Sequence, residues 1–184
     1  MEHHAYVFDY DAFSVELLPV LKNAISIFDT QLLENFIDAN IDSLTSPLDA
    51  TPLDALWRDG ITSINPITPD SINELGALAL TRYYDPLDDI GLLFDWDDVW
   101  DFLEQYGNPE IMLGMPLSRG FEGFELGGTY SYLQSPEQVA ENLKRVEEIY
   151  KDNPEIDNEL DELVVMFQRA ARALKGLYII LMAS

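Results

Sequence analysis

The sequence predicts an α+β fold: a helix-rich single domain over residues 1–184, with a small sheet that includes an N-terminal and a C-terminal strand, and a C-terminal helical hairpin. Three observations predict it. Short apolar, β-prone runs stand near both ends, at 5–8 and 177–182. Between them apolar residues recur at helical spacings of three and four. The chain is 47% apolar and 11% aromatic, enough for a packed core and unlike the aromatic-poor disordered acidic chains.

The elements follow in order. Ala5-Tyr6-Val7-Phe8 reads as a strand, closed by polar Asp9. From Ala12 the pattern turns helical through Phe13, Leu17, Leu21 and Ile25, with Pro19 kinking the helix or delaying its start. Leu32, Leu33, Phe36 and Ile37 carry a second amphipathic helix or extend the first. The repeated pentads Ser46-Pro-Leu-Asp-Ala and Thr51-Pro-Leu-Asp-Ala suit an N-cap, a Pro at the first helical position and an acid at the positive helix end. They predict a tight turn and a short helix through Leu56 and Trp57.

Residues 65–69 read as a loop. Ser71-Ile72-Asn73-Glu74 has the form of a capping box opening a helix to Leu80 or Tyr84, ended by Asp85-Pro86. A further helix runs from Asp95, with Trp96, Val99, Trp100 and Leu103 on one face and acids opposite, ended by Gly107-Asn108-Pro109. Five of the ten glycines fall within 114–128, interleaved with Phe121, Phe124 and Leu126, so this stretch reads as loop or irregular strand. Ser135-Pro136-Glu137-Gln138 is a capping box with Pro behind the cap. Two apolar stripes follow, Val139 to Tyr150 and Ile156 to Leu174, separated by a turn at Asp152-Asn153-Pro154. Lys175-Gly176 reads as a basic last turn and a Gly stop, and 177–182 as a buried strand, continuous rather than alternating.

Composition excludes several functions. Without cysteine there is no disulfide framework, thiolate metal site or thiol nucleophile. A net charge of −24 argues against nucleic-acid binding through phosphates and against an anionic membrane surface. Residues 2–4 lack the basic and apolar regions of a signal peptide, so a cytoplasmic location is expected. The charge is regional. Residues 1–143 hold 26 acids and 4 bases, −22, whereas 144–184 hold 8 acids and 6 bases, −2. An acidic, loop-rich middle at 45–133 therefore precedes a near-neutral hairpin and strand at 135–183. Between 85 and 110 there are nine acids and no base.

The chemistry-bearing patterns are few. Asp9-Tyr10-Asp11 after an apolar strand resembles the nucleophile motif of haloacid-dehalogenase-type phosphatases, which would make Asp9 and Asp11 the catalytic pair of a Mg²⁺-dependent phosphohydrolase. A helix cap is the simpler reading. Asp95-Trp96-Asp97-Asp98 resembles the start of a calcium loop, but Val99 and Trp100 stand where a ligand and the turn glycine would be. His3 and His4, the only histidines, lie at a terminus expected to be mobile. Gly127-Gly128-Thr129 lacks the lysine of a phosphate-binding loop. No metal and no cofactor are expected. The stronger expectation is a non-enzymatic module, immunity- or regulator-like, that docks a basic protein partner such as a toxin or a regulatory protein. Its acidic and aromatic surface would comprise Asp88, Asp89, Asp95, Trp96, Asp97, Asp98, Trp100, Asp101, Phe121, Phe124 and Tyr130.

The run Tyr132-Leu133-Gln134-Ser135-Pro136-Glu137-Gln138-Val139, the helical pair behind it and the closing Gly176-Leu177-Tyr178-Ile179-Ile180 resemble the YfbM-type family of small bacterial proteins. In that family an N-terminal strand leads into a helix, a Tyr-Leu-Thr-Pro-Glu-type cap opens a helical hairpin, and an apolar strand ends the chain. The resemblance covers about the last 55 residues and a similar start. It implies an α+β fold and supplies no reaction.

Overall fold

The chain begins in a strand longer than the apolar run suggests. In a computed structural model, which describes residues 1–53, 69–93, 95–119, 130–153 and 160–182, β1 spans Glu2–Phe8 and pairs antiparallel with β4, Gly176–Met182. The two-residue β2, Met115–Pro116, pairs antiparallel with β3, Ser131–Gln134, and the sheet order is β1-β4-β3-β2. Among the described residues seven helices accompany it: α1 Tyr10–Glu16, α2 Leu18–Ile27, α3 Gln31–Asn40, α4 Pro69–Leu80, α5 Trp96–Glu104, α6 Pro136–Asp152 and α7 Asp161–Arg172. The fold is α+β, with the terminal strands side by side in one sheet. No helix among the described residues is long and apolar enough to cross a membrane.

The chain divides into two compact units. One comprises residues 1–10, 88–116 and 132–184; the other comprises 11–87 and 117–131.

The first unit holds the sheet and α5, α6 and α7. Ala5 and Val7 of β1 align with Ile179 and Leu177 of β4 on the face that packs against Leu163, Met166 and Phe167 of α7 and Val139 and Val146 of α6. Tyr6, Phe8 and Tyr178 gather on the opposite face, their rings about 6 Å apart. β4 is therefore buried on both faces, which accounts for its unbroken apolar run. The capping box of α6 forms as expected: Ser135 Oγ accepts from the Gln138 amide and Gln138 Oε1 from the Ser135 amide.

In the second unit α2, α3 and α4 pack through Leu21, Ala24, Leu33, Ile37, Ile72, Leu75 and Ala79. Phe13 meets Tyr83 edge-on at 5.9 Å. Pro19 sits in the first turn of α2, two residues beyond Leu17, where α1 and α2 part. A helix already runs ahead of it, so the stretch is interrupted near Pro19 rather than started later. Phe28 closes α2 in the left-handed region, φ 53°, which keeps α3 a separate helix. The first of the two pentads makes a turn rather than a helix start: Ala50 N–H donates to Ser46 O, Asp49 Oδ1 accepts from Thr51 N–H, and Thr45 bridges Pro52. The expected short helix through Leu56 and Trp57 lies outside the described residues.

Two expectations are corrected. Ser71 does not cap a helix, because α4 already starts at Pro69 and Ser71 is buried within its first turns. A Pro at the helix start explains this, since its missing N–H is one that would lack a partner there anyway. Nor does Gly176 stop α7. The left-handed residue is Leu174, φ 54°, after which Lys175 N–H returns to Ala170 O. Gly176 opens β4, where a Cβ would stand 2.3 Å from Gln134 O of the neighbouring strand. Leu174 is exposed, so replacing it should relieve backbone strain with little loss of packing. Leu174→Gly is expected to raise stability by roughly 0.5–1 kcal/mol in urea unfolding. A loss of stability would show that its side chain packs after all.

Candidate functional site

The site grows from the free edge of β1. Residues 89–93 run along it as a strap. Ile90 N–H donates to Ala5 O (2.8 Å), and His3 and Leu93 exchange both backbone hydrogen bonds (2.9 Å each). The strap comes so close that only glycine fits at position 91: a Cβ there would meet His3 O at 2.2 Å and His4 Cα and Ala5 N at 2.7 Å. Asp89 pins the near end. Its Oδ1 accepts from the Ala5 and Gly91 amides (3.1 and 2.9 Å), and its Oδ2 lies 2.6 Å from His4 Nδ1. Glu2 approaches the other nitrogen of His4 at 3.4 Å.

His3 is wholly buried beneath the strap. The Leu92 amide donates to its Nδ1 (3.3 Å), and its Nε2 faces Met112 O (3.5 Å). An acceptor at Nδ1 and a donor at Nε2 define the neutral Nε2–H tautomer. Burial lowers its pKa from 6.5 to about 4. The expectation of a mobile terminus with two free histidines is thus corrected: both lie in a paired strand, one in the core and one between two carboxylates.

An open groove of about 450 Å³ lies between the strap and the first turns of α7, with Ile90, Leu92, Leu93 and Val165 among its apolar lining. Asp89, Asp95, Asp161 and Glu162 supply four carboxylates, and Arg169 one guanidinium. Arg169 is already engaged, its Nη2 2.6 and 2.8 Å from the two oxygens of Asp88. Leu93 and Val165 are exposed. Asp161, Val165 and Arg169 recur at intervals of four and share one face of α7, opposite the buried Leu163, Met166, Phe167 and Ala170. That off-stripe face was the available signal for the groove's second wall. It lay hidden in a part of the chain that is neutral on average.

The predicted acidic and aromatic surface separates into distinct roles. Asp88, Asp89 and Asp95 belong to the groove or its ion pair. Asp97, Asp98 and Asp101 are exposed along α5. Trp96 is core: it is 7% exposed, donates its indole N–H to Met1 O (2.8 Å) and meets Trp100 edge-on at 5.9 Å. Trp100 is half-buried against the same core. Tyr130 is exposed but belongs to the other unit. Phe121 and Phe124 lie outside the described residues.

Asp9 pairs with Lys175 at 2.5 Å, and Asp11 is exposed in the first turn of α1. Lys175 is a basic partner that sequence distance concealed, but the pair is over one-third exposed on both sides and contributes little to stability. Among the described residues no group of three or more His, Asp or Glu side chains is spaced to hold a metal ion.

Comparison with protein-family models, with curated proteins and with solved structures gives no match to this chain.

Proposed function

We propose that this chain is a non-enzymatic binding module of the cytoplasm that engages a basic protein partner through the groove between the strap and α7. One observation carries the reading: an apolar lining is ringed by carboxylates, and the one cation among the described residues lining it is held by Asp88. An extended segment that alternates apolar and Lys or Arg side chains matches that chemistry. Its apolar groups would cover Leu93 and Val165, while its cations meet Asp95, Asp161 and Glu162. Contacts of this kind act mainly on encounter rate and specificity, and they weaken with salt.

Calorimetric titration with an alternating Lys-Leu peptide and an alternating Glu-Leu peptide tests the reading. The basic peptide is expected to bind and to lose at least about tenfold in affinity between low salt and 0.3 M, as exposed charge pairs become screened. The double variant Asp161→Lys, Glu162→Lys should abolish that binding, while the acidic peptide stays unbound. Equal binding of both peptides, or indifference to salt, would refute the proposal.

A further inference from the structure

We propose that the strap is an acid-released device: a proton taken up by His3 frees residues 89–93 from β1 and so dismantles the groove wall. The geometry carries this. Nδ1 of His3 accepts from the Leu92 amide at 3.3 Å, and Nε2 faces Met112 O. A second proton can enter only at Nδ1, where it would set one N–H against another. The closed strap and the protonated ring are therefore incompatible, whereas an open strap hydrates the ring.

The groups around the ring leave it few ways to hold that charge. Burial is the largest influence and opposes protonation, as does His4; the Met112 carbonyl, His3's own carbonyl and, more weakly, Asp89 on the strap favour it and are outweighed. Asp89 is committed to His4 and to the Ala5 and Gly91 amides. Opposite His3 on β4 stands Leu181. The 3₁₀ turn Pro109–Met112 offers a backbone carbonyl, and its Glu110 is exposed. α7 turns Leu163, Met166, Phe167 and Ala170 inward, with Asp161, Glu162, Arg169 and Arg172 exposed, and α5 turns Trp96, Val99 and Leu103 inward, with Asp97, Asp98, Asp101 and Glu104 exposed.

The release itself is independent of what binds the groove; only its consequence for a partner rests on the binding reading above. The test therefore uses the free protein. Amide hydrogen exchange separates the two sides of β1. His3, Ala5, Ile90, Leu92 and Leu93 report the strap, and by alternation Tyr6 reports the β4 side. A ring held near 4 when closed and returned to 6.5 when open draws up to one proton on opening. The opening constant then rises by up to tenfold per pH unit, about 50-fold from pH 7 to 4.5 after correction for intrinsic exchange. Strap amides should show that acceleration while Tyr6 and Tyr178 do not.

His3→Asn, which offers an acceptor to Leu92 but cannot be protonated, should remove the acceleration. His4→Gln should retain it. Strap amides that ignore pH, or that accelerate in step with Tyr178 as in global unfolding, would overturn the proposal, as would an acceleration that survives His3→Asn. If that variant does not fold, ring ¹⁵N shifts of the wild type decide: an Nδ1–H tautomer at pH 7 contradicts the device. Loss of peptide binding at neutral pH would refute the binding reading and leave the strap result standing.

Discussion

Gly91→Ala is expected to lose about 3 kcal/mol of stability, and the strap amides are expected to lose their protection in the same variant. The added methyl would meet the β1 backbone at three atoms, the nearest 2.2 Å away, and no side chain can rotate to make room. Overpacking ordinarily costs roughly 1–3 kcal/mol, and a backbone obstruction belongs at the upper end. Gly107→Ala is the matched control. It has open space around it and only its φ of 70° to oppose a side chain, so about 1 kcal/mol is expected there. Urea unfolding of both variants checks the comparison. Equal losses would mean that the strap does not sit against β1 as described.

Gln134→Leu is expected to cost about 2–4 kcal/mol. Gln134 is fully buried, donates to Ile111 O at 2.8 Å and accepts from Asn142 Nδ2 at 3.0 Å. Leucine matches its size but leaves Ile111 O with only the longer Asn142 contact at 3.4 Å, and leaves the Asn142 amide without its nearer acceptor. Unmet buried polar groups carry the desolvation penalty in full, whereas removing both partners can be close to neutral. Adding Asn142→Leu removes the stranded amide but also the remaining contact of Ile111 O, so the double variant should cost less than the sum of the two single changes. A double-mutant cycle that proves additive would dissolve the network as a unit.

How much of this was legible in the sequence depended on how local its cause is. The Ser135 capping box, the apolar stripe of α6 and the doubly buried strand are written within a few residues of themselves and form as read. In α7 Leu163 and Phe167 pack inward as expected, whereas Leu174 at the end of the expected stripe is exposed and Ile156 lies outside the described residues. His3 is the opposite case. Its burial depends on a strap about ninety residues away, on Met112 and on β4, and no window around residue 3 contains them. The acidic stretch at 85–110 reads as one surface because charge is summed along the chain. Folding divides it into a strap that binds backbone, an ion pair with Arg169 and an exposed helix face. In the sequence Gly176 reads as a helix stop because glycine has that local use. Its actual reason, the approach of Gln134 O, lies on another strand.

The pairing of Glu2–Phe8 with Gly176–Met182 also has a temporal consequence. Ribosomes add roughly 5–20 residues per second. β1 therefore waits on the order of ten to thirty seconds for its partner strand, while the locally packed helices α2 to α4 can already assemble. During that interval an apolar segment bearing Tyr6, Val7 and Phe8 stands open to any passing strand edge. Nascent chains this acidic repel one another through the period in which the sheet cannot yet close.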